Sequence, residues 1–141
     1  MSGALARGGA VVGVPAEGLR TAARSPDVRN RVHAGELCIA SPYGPRAHFS
    51  AGNAMGRNKI IYALAAVTLV VCADDGSGGT WEGAKEALRK RYGAVAVWTG
   101  EGAGPGNDPL IRLGATPVSD VSELMAVASR PIEAVQPSLF Q

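Results

Sequence analysis

An α/β fold built on a parallel sheet is predicted by three features of this 141-residue sequence. Short β-rich runs alternate with helical stretches. The run 67–72 is apolar almost throughout, as suits a strand covered on both faces. A glycine-rich turn, Gly76-Ser77-Gly78-Gly79-Thr80, follows that run and opens another helix. About five strands with flanking helices are expected. Residues 1–129 would form the domain and residues 130–141 a tail.

The elements follow in order. A short helix over 2–7 stops at Gly8-Gly9, and a first strand over 10–14 ends at Pro15. Ser25 and Pro26 stand where an N-cap and a first helical residue belong, and this helix runs to His33 and stops at Gly35. Residues 37–40 read as the second strand. A loop over 41–52 is punctuated by Pro42, Gly44 and Pro45. The helix that starts near Asn53 places Arg57, Ile60, Ile61 and Leu64 on one face by three-and-four spacing. Residues 67–72 form the third strand.

The next helix covers 80–92 and ends in Arg89-Lys90-Arg91, where cations suit the negative end of the helix dipole. A fourth strand spans 94–98. The glycine-rich segment 99–107 leads to Asn107-Asp108-Pro109, which is expected to cap a short helix to Leu113. Residues 115–118 read as an edge strand. Asp120 and Glu123 form a capping box for a last helix to about residue 129.

Composition narrows the class. Hydrophobic residues make up 46% of the chain and aromatics 5%, so small aliphatics must supply the core. The net charge of +2 is too mild to identify a polyanion binder, because the placement of charge matters more than its sum. Cys38 and Cys72 each lie in an apolar run and are expected as small buried hydrophobes. No Cys-x-x-Cys pair or histidine cluster points to a metal. Neither a signal peptide nor a run long enough to span a bilayer is expected, which favours a cytoplasmic setting.

The chemistry concentrates between Asn53 and Ala84. Arg57 and Lys59 sit on a helix, and the turn after the following strand offers backbone amides at a helix start. Both suit an anion, phosphate above all, and the expectation is that they converge on one notch. Arg20, Arg24, Arg29 and Arg31 are expected on an exposed helix face. Asp74 and Asp75 read as loop-solvating residues. They also leave open a small nucleotide as ligand, with a ribose or a metal facing them.

Pro42-Tyr43-Gly44, Phe49, Arg57-Asn58-Lys59-Ile60-Ile61, the strand to Cys72, the 76–80 turn and the segment from Gly106-Asn107 to Gly114-Ala115 occur in a familiar order. That order resembles the DprA/Smf, or DNA-processing protein A, family over most of residues 3–125. The resemblance implies an extended Rossmann-like fold that binds single-stranded DNA without catalysis. It also implies recombinase loading during natural transformation. By the same resemblance, Arg57, Asn58 and Lys59 match the basic motif of the phosphate pocket. Phe49 matches the preceding aromatic. Gly78, Gly79 and Thr80 match the flanking turn, to which Gly76 and Ser77 belong. Phe49, Tyr43 or His48 would offer a base-stacking platform.

The family's Ser-Gly-x-Ala-Arg-Gly motif is not in this chain, and residues 2–9 fit the end of a later helix better. On that reading the first βα unit is missing, and the exposed sheet edge would favour a homo-oligomer.

Met55-Gly56-Arg57-x-Lys59 followed by Gly78-Gly79-Thr80-x-Glu82 also resembles the LOG phosphoribohydrolases, which cleave nucleoside monophosphates. That resemblance would make Glu82 the catalytic carboxylate, with Arg57 steering the phosphate. Gly83 stands where a second glutamate belongs, and Glu82 reads more readily as a first-turn carboxylate stabilising its own helix. No cofactor is implied by either family. In the tail, Gln136, Leu139 and Phe140 resemble the peptide by which bacterial proteins dock on the replicative sliding clamp.

Overall fold

The computed structural model describes residues 2–130. It contains five strands and seven helices among the described residues, in the order α1 (Ser2–Ala6), β1 (Val11–Gly13), α2 (Leu19–Ala22), α3 (Pro26–His33), β2 (Leu37–Ile39), α4 (Ala51–Leu64), β3 (Val67–Val70), α5 (Gly78–Lys90), β4 (Ala94–Trp98), α6 (Asn107–Arg112), β5 (Thr116–Val118) and α7 (Val121–Ala128). All strand pairs are parallel. The strands form a two-stranded sheet, β1-β2, and a three-stranded sheet, β3-β4-β5. The chain divides into two compact units, residues 1–61 and 62–141.

In the first unit, β1 and β2 pair with Val11 opposite Leu37 and Gly13 opposite Ile39. Two helices end in the same hydrogen-bonded motif. Gly8, with φ of 72°, sends its N–H to Leu5 O, and the Gly9 N–H returns to Ala4 O. At the end of α3, Gly35, with φ of 73°, donates to Val32 O, and Glu36 donates to Arg31 O. A left-handed residue after the last turn satisfies carbonyls that helix geometry leaves open, and glycine adopts it without strain. These turns deliver the chain into β1 and β2.

The second unit is a sheet covered on both faces. Alternate residues of β4 point opposite ways. Val95 and Val97 join Trp81, Ala84, Ala87 and Leu110 in one buried cluster, beneath α5 and α6. Ala96 joins Val118 and Val127 in the other, beneath α7. The small residues at 84, 87 and 96, all fully buried, let helices and sheet approach closely. The expected capping box forms in part: the Glu123 N–H donates to Asp120 Oδ1 at 2.9 Å, but the Glu123 carboxylate accepts from the N–H of Ser119, one residue before the cap, at 2.6 Å.

Several expectations need correction. A short helix, α2, stands where none was expected. Arg20 therefore lies on α2, Arg29 and Arg31 lie on α3, and Arg24 lies between them, so these four arginines share no single helix face. The helix expected from Asn53 begins at Ala51, where Ser50 Oγ accepts from the Asn53 N–H at 3.0 Å. Leu64, expected on its buried stripe, is 69% exposed, and Tyr62 is buried instead. Apolar residues surround this helix, so spacing alone selects no unique face.

The third strand stops at Val70, and Val71 is 52% exposed. Both cysteines are exposed, not buried. Cys38 alternates outward next to buried Leu37, and Cys72 lies beyond the end of β3. Helix α5 starts at Gly78, so Glu82 falls beyond its first turn. Ser25 adopts N-cap geometry, but its hydroxyl makes no capping bond.

Arg91, with φ of 54°, occupies the left-handed position after α5 that glycine usually fills. The expected stop, Gly93, serves another purpose: a Cβ there would lie 2.6 Å from Tyr62 O. Arg91→Gly should stabilise the chain by about 0.5–1 kcal/mol, read as a rise in thermal midpoint. Burial pushes the Tyr62 phenol above its ordinary value of 10.0. The folded state therefore keeps a proton that the unfolded state releases, so this group's contribution is full below about pH 10 and is lost as pH rises further. Tyr62→Phe should flatten the alkaline limb of a midpoint-against-pH curve.

Candidate functional site

Open parallel sheets bind ligands at the carboxyl ends of their strands, where the chain turns into helices. In the second unit this edge consists of the β3–α5 loop, residues 71–77, and the β4–α6 loop, residues 99–106. The two loops lie backbone against backbone. Gly106 donates to Ala73 O at 2.9 Å. A Cβ at Gly104 would meet Ala73 O at 2.4 Å, and one at Gly106 would meet Asp74 O at 2.3 Å. Only glycine permits so close an approach.

Asn107 locks this edge. It is 2% exposed, and its side chain reaches three main-chain groups instead of capping α6. Nδ2 donates to Val71 O at 2.8 Å and to Trp98 O at 2.8 Å. Oδ1 accepts from the Ala73 N–H at 3.0 Å. One carboxamide thus joins the ends of β3 and β4 and satisfies main-chain groups where the sheet ladder stops. The expected cap at Asn107 is therefore corrected. Asn-Asp-Pro before a helix is a capping pattern, and nothing local reveals a bond made 34 or 36 residues away.

The β3–α5 turn then enters α5. Gly76 and Gly78 have φ of 70° and 84°, so this turn requires glycine twice. Ser77 stands at the N-cap without a side-chain capping bond, and Gly78, Gly79 and Thr80 form the exposed first turn. The Asp74 carboxylate lies against the turn, with Oδ2 3.4 Å from where a Gly78 Cβ would stand. It already faces the positive end of the helix. Glu82 is ion-paired to Lys85 at 2.8 Å, and the same ammonium sits 5.9 Å from the Trp81 ring centroid.

The other expected residues belong to the first unit. Phe49 is 67% exposed on the loop before α4. Tyr43, by contrast, is part-buried: its hydroxyl donates to Asn53 O, and a Cβ at Gly56 would stand 2.7 Å from that hydroxyl. Tyr43 therefore braces the loop onto α4 and is a poor stacking platform. On α4, Lys59 is exposed and Asn58 half-buried. Arg57 is half-buried, and its Nε is fully buried with no hydrogen-bond partner. A buried guanidinium donor without an acceptor is costly.

Among the described residues no cluster of His, Cys, Asp and Glu could hold a metal ion, and no helix is long and apolar enough to cross a membrane. Gln136, Leu139 and Phe140 lie outside the described residues.

The family model of DNA recombination-mediator protein A matches residues 1–129. The chain belongs to that family. A crystal structure of DNA processing protein A (DprA) from Streptococcus pneumoniae superposes with a TM-score of 0.71 at 25% identity, over 89% of this chain and 45% of the pneumococcal one. This DprA-family chain thus spans less than half the length of that relative. No curated protein sequence matches it. The α/β architecture with parallel strands is that of the DprA Rossmann-like fold.

Asn107→Ala should destabilise the second unit by on the order of 3 kcal/mol, because it strands two carbonyls and one N–H. Urea unfolding that shows a lower midpoint at unchanged slope would confirm this. A midpoint equal to the parent's would contradict it.

Proposed function

We propose that this chain binds single-stranded DNA as a recombination mediator, holding the strand without cleaving it. The observation that carries this reading is the Arg57-Asn58-Lys59 motif on α4, with Lys59 exposed, in a chain of the DprA family. A guanidinium grips phosphate oxygens through parallel donors, and Lys59 adds a point charge. Asn58 orients this part of α4. The turn formed by Gly76, Ser77, Gly78, Gly79 and Thr80 donates amides to a backbone phosphate, which displaces the Asp74 carboxylate. Phe49 stacks an unpaired base.

The strand so held is passed to a recombinase, in natural transformation or a related process in the cytoplasm. Residues 1–129 act as the DNA-holding domain and self-associate. The segment 130–141 docks on the sliding clamp through Gln136, Leu139 and Phe140.

Arg57→Ala should lower affinity for a fluorescent single-stranded oligonucleotide about ten- to hundredfold while leaving the fold intact. Parent binding should weaken steeply with salt and vary little with sequence. Anisotropy titration tests both, alongside a nucleoside-monophosphate hydrolysis assay on the same sample. Release of free base would overturn the non-catalytic reading, and unchanged affinity of Arg57→Ala would remove Arg57 from the site.

A further inference from the structure

The first unit holds a second concentration of positive charge. A pocket of about 390 Å³ is lined by Arg20, Thr21, Arg24, Arg46 and His48. Among the described residues no carboxylate lines it. Arg20 and Thr21 lie on α2, Arg24 follows that helix, and Arg46 and His48 lie on the loop between β2 and α4.

The backbone builds this hollow. Gly18 donates to Ala47 O at 2.9 Å, Arg20 donates to Pro45 O at 3.0 Å, and Ala47 donates to Gly44 O at 2.9 Å. A Cβ at Gly18 would lie 2.4 Å from both Gly44 O and Pro45 O, so glycine is what lets the loop rest on the start of α2. Asn53 Nδ2 donates to His48 O at 3.0 Å and pins the far end of the loop to α4.

The neighbouring arginines show what an engaged guanidinium looks like here. Arg29 donates to Ala23 O and Arg24 O at 3.0 and 2.9 Å, and Arg31 pairs with Asp27 and Glu36 at 3.1 and 3.3 Å. The guanidinium groups of Arg20, Arg24 and Arg46 have no such partner among the described residues. Three cations around one hollow repel each other until an anion enters. A carboxylate would match one guanidinium fork. The tetrahedral oxygens of a phosphate can serve several, together with the Thr21 hydroxyl and the His48 ring.

We propose that this pocket is a phosphate-binding site, separate from Arg57 and Lys59, whose guest is a phosphate of a nucleic-acid backbone or of a free phosphate ester.

The test compares the full chain with R20Q/R24Q/R46Q and with the charge-keeping R24K/R46K. All three arginines are exposed, so circular dichroism and melting should match the parent. Each protein is titrated with inorganic pyrophosphate by calorimetry and with a labelled single-stranded oligonucleotide across salt concentrations.

The parent should bind pyrophosphate. The glutamine variant should lose that binding, and R24K/R46K should keep part of it. With the oligonucleotide, the glutamine variant should show a salt slope shallower by about 0.7 for each phosphate it no longer neutralises. Should the glutamine variant match the parent for both probes, or the parent bind neither, the site is wrong. If Arg57→Ala abolishes strand binding while the glutamine variant leaves both probes unchanged, only the pocket fails. If the glutamine variant loses pyrophosphate binding in a chain that takes no oligonucleotide, the pocket stands with a free phosphate ester as guest, and the reading of the chain as a strand binder fails.

Discussion

The carboxamide of Asn107 is the joint on which the carboxyl edge of the second unit depends. Where a parallel strand ends, its last carbonyls and N–H groups leave the ladder and need other partners. Asn107 supplies three of them at once: two carbonyls from different strands and one N–H are satisfied by its side chain. This explains why β3 stops at Val70 although the apolar run continues to Cys72. The chain turns out of the sheet toward Asn107, and its following residues lie against Gly104 and Gly106. Substituting a larger residue at either glycine would push apart the two loops that Asn107 holds together. The glycine turn into α5 starts from this fixed edge.

The first unit reaches a fixed loop by another route. Gly18 admits the backbone of residues 44–47 against α2, and Tyr43 braces the same loop on α4 beside Gly56. Glycine acts in both places by leaving room for another group, and neither position has a left-handed φ. The loop so held presents Arg46, His48 and Phe49 at defined places instead of leaving them on a wandering segment. A net charge of +2 hides this arrangement, because Arg29 and Arg31 are engaged while Arg20, Arg24 and Arg46 have no ion-paired acid among the described residues.

Most elements were legible because their signals are local. The Gly8 and Gly35 stops, the Asp120 cap and the strand 94–98 depend on neighbours a few residues away, and each forms where the pattern places it. The errors share a different cause. Leu64 and Val71 are as apolar as buried residues, but neither packs into a cluster. Cys38 lies one residue from buried Leu37, and strand alternation turns it outward. Helix α2 spans only Leu19–Ala22 and has no side-chain cap, so no periodic pattern announces it. The turn at residues 76–80 was readable as glycine-rich, yet the position of Asp74 against it depends on how the loop folds.

The amino-acid order by itself determined the α/β class, the parallel strands, the positions of most helices and the Arg57-Asn58-Lys59 and glycine-turn motifs. These follow from periodicity, capping and residue chemistry within short windows. Tertiary structure alone decided which polar groups are engaged and which are open. It drew Asn107 into the sheet ends, paired Glu82 with Lys85, buried Arg57 Nε without a partner and gathered Arg20, Arg24 and Arg46 around one hollow. A side chain's partner depends on backbone brought together from distant parts of the chain, and that distance is invisible to any local window.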